Sequence, residues 1–392
     1  MKKALAIFCL LLLTFAVTGV NAKKMGGKKR QGQALIDSLS TALSKAKHDT
    51  NKVVLLSSLS FQYHSIDAVK GLEYGKQALK LADELHWNKG KAIAYNSMGL
   101  NYMTKLDYPF AVAQFESALI INKAEGNKKG MAHNYRNLSI IANTRTDQKE
   151  ALIQGRQALR LYRDIYSREG EAAVLNNIGK IYMELRDFEK AGRYFDSSLF
   201  IYQELGDKNG MAMIWGNLGV IYRDKGDYVR ALDYFQKSRK LYEKLDDNYA
   251  LCLNMYNTGT IYQKQNSYAQ SMNMHFKGLA IAEEIKSDYL KAAQSGRIGT
   301  CYLAIVANKA APKSDKHIAK DPTVNLNRSI EYLTKSIEVF KRMGDKEYLS
   351  VFTDALSQAY YLAGDFKNAY LYCREYATLL NLVNEETVNV YK

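Results

Sequence analysis

Apolar residues along this chain recur with the spacing of helices, and whole phrases of them recur every 40 residues. A small residue returns at Gly99, Ser139, Gly179, Gly219, Gly259 and Gly299. Met98, Leu138, Ile178, Leu218 and Ile298 precede it, and Tyr102, Tyr182, Tyr222, Tyr262 and Tyr302 stand three residues after the glycines. A fixed period of this size marks one helical unit copied along a line, each copy burying its apolar face on the next. No long stretch alternates between apolar and polar, so strands are not expected.

Advancing about 100° per residue from the glycine divides the first helix of each unit into two arcs. The arc holding the tyrosine, the apolar residue before the glycine and Ile141, Ile181, Ile221 and Ile261 is predicted to pack against the second helix and the adjacent unit. The opposite arc is polar. Asn137, Asn177, Asn217 and Asn257 lie there in register, with Arg136, Asn176, Lys180, Glu184, Arg223, Asp224, Tyr256 and Lys264 on the same side. An asparagine side chain offers donors and an acceptor, so such a row suits the main chain of an extended ligand. The same row equally suits amides that bond the neighbouring first helix and set the angle between repeats.

The stretch Gly210–Tyr249 holds Trp215, Leu218, Gly219 and Tyr222 in the spacing W-x2-L-G-x2-Y, then Ala231 and Phe235. It resembles the tetratricopeptide repeat, a helix–turn–helix unit. Tyr95, Met98, Gly99, Tyr102, Ala111 and Phe115 repeat the match, as do Leu175, Ile178, Gly179, Tyr182, Ala191 and Phe195. Other copies stray at single positions, where Ser139 and Ala142 replace the glycine and tyrosine of one and Ser271 the alanine of another. The resemblance implies an all-α, right-handed superhelical solenoid of about eight repeats over residues 51–387, with an N-terminal capping helix at residues 34–47 carrying Leu35, Leu39 and Leu43. The period exceeds the usual ~34 residues, so both helices are expected to be longer, as in kinesin light chains and exported bacterial sensor ectodomains. Polar turns such as Gly126-Asn127-Lys128, Gly206-Asp207-Lys208 and Gly344-Asp345-Lys346 take the place of the family's closing proline, with glycine ending one helix and Asp or Asn capping the next. Peptide-binding members use asparagines at this point of the first helix, which implies that role for Asn137, Asn177, Asn217 and Asn257 in a concave groove. Between Gly299 and its counterpart Ser357 the period is exceeded, and the surplus at about residues 306–323 holds Pro312 and Pro322. It is expected as a surface loop, either on a functional rim or as a mobile excursion.

Composition changes this picture at the ends. Three prolines among 392 residues agree with helices throughout. Lys2 and Lys3 precede an apolar stretch from Ala4 to Val17, too short to span a bilayer, and Val20-Asn21-Ala22 offers a cleavage site; residues 1–22 read as a secretory signal. Lys23, Lys24, Lys28, Lys29 and Arg30 open residues 23–50 as a basic arm, and part of the net charge of +15 is theirs. Export makes nucleic acid a poor partner. Cys252, Cys301 and Cys373 fall in three different repeats and are expected as buried free thiols, not a disulfide framework. The six histidines form no metal-binding spacing, so no metal or cofactor is expected. Residues Gly71 to Lys76 match a phosphate loop only loosely, one residue short and after no strand. A repeat array presents broad grooves, and no catalytic constellation is found, so the chain is not expected to be an enzyme.

Two functional readings follow. The first is an exported scaffold that holds a peptide or extended protein segment in its groove. The second is sensing, because Ile36-Asp37-Ser38-Leu39 and Lys47–Val53 resemble the start of ectodomains of bacterial sensor histidine kinases and adenylate cyclases, and Asn384–Thr387 resembles the stretch before their membrane helix. That reading implies a membrane-bound signalling partner, after a tail at residues 388–392. Leu371, Tyr372, Tyr376, Leu379 and Leu380 leave the last helix apolar, which makes self-association through the final repeat a third expectation.

Overall fold

The computed structural model describes residues 33–310 and 316–388, and side chains up to residue 382. The expected signal segment, the basic residues from Lys23 to Arg30, Pro312 and the last four residues lie outside the described residues. Seventeen helices and no strand are found among the described residues. The chain divides into two compact units, residues 1–194 and 195–392.

In the first unit lie α1 (Gln33–Ser44), α2 (Thr50–Tyr63), α3 (Ala68–Glu84), α4 (Asn88–Thr104), α5 (Tyr108–Ala124), α6 (Lys128–Thr144), α7 (Gln148–Asp164) and α8 (Arg168–Glu184). The next helix, α9 (Phe188–Glu204), runs across the division. In the second unit lie α10 (Lys208–Asp224), α11 (Tyr228–Leu245), α12 (Asn248–Lys264), α13 (Tyr268–Glu284), α14 (Asp288–Ala307), α15 (Pro322–Met343), α16 (Lys346–Leu362) and α17 (Phe366–Val388). Within each unit every helix packs on the next one, and each first helix also touches the first helix that follows, as α4 touches α6 and α12 touches α14. This is the consecutive pairing of an all-α tetratricopeptide-type solenoid.

The recurring glycine exists because the two helices of a pair approach closely. A methyl group at Gly219 would meet Phe235 at 2.7 Å, and one at Gly99 would meet Phe115 at 2.7 Å. Where Ser139 replaces the glycine, the partner is small as well: Gly155 faces it, and a methyl group at Gly155 would meet Ser139 Oγ at 3.1 Å and Ile178 at 3.2 Å. The ring is missing from this contact, and Ile178 of the next first helix comes up to Gly155 beside Ser139.

The turns follow one rule. Gly206 ends α9 with φ 65°, and Asp207 then caps α10 by accepting the backbone N–H groups of Asn209 and Gly210, both at 3.0 Å. Residues without glycine's freedom adopt the same left-handed conformation at other turns, among them Leu106 (φ 59°) and Thr146 (φ 62°). Around Thr146 the hydrogen bonds explain why: Thr146 donates to the Asn143 carbonyl and Asp147 to the Ala142 carbonyl, each at 2.9 Å, closing the C-terminus of α6.

A helix is found at the expected capping position, and two other expectations are corrected. In the capping helix the buried anchor is Ile36, packed with Leu59 and Tyr63, while Leu39 and Leu43 are only partly buried. The surplus in the seventh repeat is not wholly a loose loop: α14 and α15 lengthen into it, Ile318 is buried among Tyr268, Met272 and Tyr302, and His317 stacks on Phe276 with ring centroids 3.9 Å apart. Its backbone is also held, since the His317 carbonyl accepts from Tyr302 Oη at 2.7 Å and from Arg328 Nη1 at 2.8 Å. Finally, Cys252 and Cys301 are buried free thiols but Cys373 is exposed.

Candidate functional site

In the first unit the polar face of the first helices is built on α4, α6 and α8. Asn137 is 2% exposed, and its Nδ2 donates to Asn96 Oδ1 at 3.4 Å, where Asn134 Nδ2 also donates at 3.2 Å. Between α6 and α8, Asn143 Nδ2 donates to Glu184 Oε1 at 3.0 Å. Burial raises the Glu184 carboxyl to about 7, against the opposing pull of Asn143 and of Lys180. Asn176 and Lys180 are buried, and Arg136 and Asn177 are half-buried. His133 pairs with the Tyr162 hydroxyl at 2.8 Å, and burial together with Arg136 and Lys129 lowers its pKa to about 3, so it stays neutral.

Three atoms on this face are buried without a hydrogen-bond partner: Arg136 Nε, Asn143 Oδ1 and Asn177 Nδ2. Two are donors and one is an acceptor. Such groups are rare in folded proteins because each forfeits its bonds to water.

In the second unit the corresponding face is more nearly saturated. Arg223 is clamped to Asp224 (Nε to Oδ1 at 2.9 Å) and donates through Nη1 to Asn257 Oδ1, while Asn257 Nδ2 donates to the Leu253 carbonyl at 3.1 Å. Gln263 Nε2 donates to Thr300 Oγ1 at 3.3 Å, tying α12 to α14. Tyr256 is buried, and its hydroxyl accepts from Arg297 Nε at 2.7 Å. Asn217 is buried and Lys264 is exposed.

The asparagine row is therefore not the free row that a groove lined by it requires. The side chain of Asn137 is used to join successive first helices, and Arg223 does the same through Asn257, because that helical position lies beside the seam where the next first helix approaches. Of the four, Asn177 is the one with a buried donor unspent. The structure also assembles a group that the polar-arc argument missed: Arg297, Tyr289, Tyr348 and Phe352 around Tyr256. A signal for it was present, since Arg297 follows Asn257 by the same 40 residues that separate the asparagines.

No helix among the described residues is long and apolar enough to cross a membrane. A family model described as tetratricopeptide repeat matches residues 170–244 and 210–284. No curated protein sequence matches the chain. Among solved structures, the apo form of the quorum sensor NprR from B. thuringiensis is similar at TM-score 0.59 and 15% identity, over 89% of this chain and 93% of that one. A Rap protein complexed with competence and sporulation factor is similar at TM-score 0.61 and 14% identity, over 90% and 93%. A signal transduction ATPase with a tetratricopeptide repeat sensor from Pyrococcus horikoshii is similar at TM-score 0.61 and 13% identity, over 91% of this chain and 52% of that one. At such identities the likeness speaks for the fold. With the helix pairs and the glycine-to-aromatic contacts, residues 170–284 are tetratricopeptide repeats, set in an array of helix pairs of the same fold.

Proposed function

We propose that this protein is a binding scaffold whose first-helix faces hold an extended peptide or protein segment, without catalysing a reaction on it. The observation that carries the reading is the trio of unsatisfied atoms in the first unit, Arg136 Nε, Asn143 Oδ1 and Asn177 Nδ2. A ligand main chain supplies alternating carbonyls and N–H groups, the partners those atoms lack. The Rap protein similar in fold is complexed with competence and sporulation factor, which lends support to a ligand lying along such an array. The apolar stretch between Ala4 and Val17 supports placing the protein outside the cytoplasm, with Lys23 as the first residue of the processed chain.

The test starts with peptides selected on the wild-type protein from a random heptamer library. An Asn143→Ala, Asn177→Ala variant gives up the Asn143–Glu184 bond between α6 and α8, so it should lose about 1 kcal/mol of stability and is compared well below its melting temperature. It should bind the selected peptides at least ~10-fold more weakly, since each lost hydrogen bond is worth about 1 kcal/mol. Unchanged affinity for every selected peptide would defeat the reading. Cell fractionation with mass determination of the N-terminus checks the export proposal.

A further inference from the structure

We propose that the cap residue of α6, Asn127, sets which atom of the Asn96 amide faces a ligand on the first-helix side of the first unit, acting through the buried asparagines Asn122 and Asn134. The inference rests on the scaffold reading above and names what orients one of its ligand-facing groups.

A chain of side-chain amides crosses the packed interior of this unit. It starts at the turn between α5 and α6, where Asn127 Oδ1 accepts the Gly130 backbone N–H at 3.0 Å. Asn127 Nδ2 donates to Asn122 Oδ1 at 2.8 Å, and Asn122 Nδ2 donates to Asn134 Oδ1 at 2.8 Å. Asn134 Nδ2 donates in turn to Asn96 Oδ1 on α4 at 3.2 Å, the oxygen that Asn137 also reaches. Asn122 and Asn134 are buried, and Asn96 is half-buried at the end of the chain. Gly130 makes the room, since a methyl group there would meet Asn122 Oδ1 at 2.4 Å. In the next two repeats Tyr162 and Tyr202 stand in the register of Asn122, and Val174 and Ile214 in that of Asn134, so the chain belongs to this repeat.

The two ends of an amide are alike in shape, so hydrogen bonds alone decide which way it faces. Here the first bond decides the rest. A backbone N–H can only donate, so Asn127 turns its oxygen to Gly130 and its nitrogen to Asn122. That takes the Asn122 oxygen, leaves its nitrogen to Asn134, and passes the same polarity on to Asn96. Turning one interior amide by itself would set like groups against each other at both of its junctions, away from solvent, so these amides turn together or stay. Asn96 spends its oxygen inward on two donors, while its Nδ2 makes no hydrogen bond among the described residues and is not sealed from solvent. It therefore presents a donor, suited to a ligand carbonyl, one repeat before Arg136 with its unspent Nε. An aspartate cap, which the chain uses at Asp147, Asp207 and Asp247, accepts N–H groups equally well but has no donor to pass on.

The experiment uses the full chain and Asn127→Asp, which keeps the shape and the cap but removes the donor. The relay should then settle the other way round: Asn122 donates to the new carboxylate, Asn134 to Asn122, and Asn96 turns its nitrogen inward and its oxygen to the face. Exchange of the side-chain N–H groups with water is read on isotope-labelled asparagine. In wild type the Asn96 amide should exchange at the pace of a free side chain, with Asn122 and Asn134 slowed at least ~100-fold; in Asn127→Asp the Asn96 amide should slow at least ~10-fold. A protected Asn96 amide in wild type, or unaltered Asn96 exchange in a folded Asn127→Asp, overturns the relay. The first is read on wild type, so a poorly folding variant leaves the test intact. Asn134→Val interrupts the chain, and in that background Asn127→Asp should leave Asn96 unmoved; a response that persists there belongs to the added charge and overturns the relay too. Heptapeptides selected on the wild-type protein read the consequence, and Asn127→Asp should weaken them at least ~5-fold. If they require Asn143 and Asn177 but bind Asn127→Asp undiminished, the proposal fails while the scaffold reading stands. If they ignore Asn143 and Asn177, the scaffold reading fails and the exchange pattern decides the relay by itself.

Discussion

Two neighbouring repeats of the second unit, α10–α11 and α12–α13, solve the same packing problem with different chemistry. In the first, Phe235 is 2% exposed and lies under Gly219, an apolar ring against a bare helix backbone. In the second, His275 is 0% exposed and occupies the same place under Gly259, where a methyl group would meet its Nε2 at 2.6 Å. His275 Nδ1 pairs with Gln294 Oε1 at 2.8 Å, and Gln294 Nε2 donates to the Cys252 carbonyl at 2.9 Å, while His275 Nε2 has no partner. The comparison teaches that the repeat tolerates a polar ring at its centre when a neighbouring first helix supplies a partner. It also makes the second repeat sensitive to protons where the first is not.

Repeat arrays open in parts, so local protection by hydrogen exchange is the measure suited to each test. The largest effect is expected from Phe235→Ala, which leaves a ring-sized cavity under Gly219 and should cost about 3–5 kcal/mol in the protection of α10 and α11. Acidification should act on the other repeat. Burial, with Arg297 nearby, lowers the His275 pKa from its ordinary 6.5 to about 4. The unfolded chain therefore binds a proton between pH 6.5 and 4 that the folded chain refuses. The associated stability is whole above 6.5 and falls by about 3 kcal/mol as pH drops toward 4. His275→Phe should abolish that slope in α12–α14, and an unaltered slope would assign it to another group.

A smaller effect sharpens the contrast further. Gln294→Ala should cost about 1–3 kcal/mol in wild type, where it strands His275 Nδ1 and removes the second bond to the Cys252 carbonyl. It should cost less in the His275→Phe background, and the double-mutant cycle reads the difference as coupling. The smallest concerns the turns. Gly226 (φ 82°) ends α10, whereas Asn266 (φ 58°) ends α12. Gly226→Ala should destabilise its turn by about 1–2 kcal/mol, and Asn266→Gly should stabilise its own by less than ~1 kcal/mol. Equal responses would show that the two turns are strained alike.

Much of the architecture was legible because its cause is periodic. The 40-residue return of Gly219 and its counterparts, and the Asp or Asn after each glycine turn, are local signals that the structure uses as read. Thr146 and Leu106 hid the fact that the same turn recurs every 20 residues, since neither has glycine's preference for the conformation they adopt. The polar arc was also legible, but not which of its members are spent. Asn137 and Asn177 hold the same register, yet one is bonded to Asn96 and the other keeps an unpartnered donor. That depends on what the adjacent first helix carries 41 residues away, and helix geometry within one repeat is silent about it.

By itself the amino-acid sequence determined the helices and their pairing, because these follow from periodicity and from the size of one residue at a time. Only the tertiary structure decided which polar groups are satisfied and which are stranded, and that Arg297 sits in a cage of rings. Hydrogen bonds and charge balance are settled between side chains from separate repeats, at distances of ångströms that no spacing along the chain encodes.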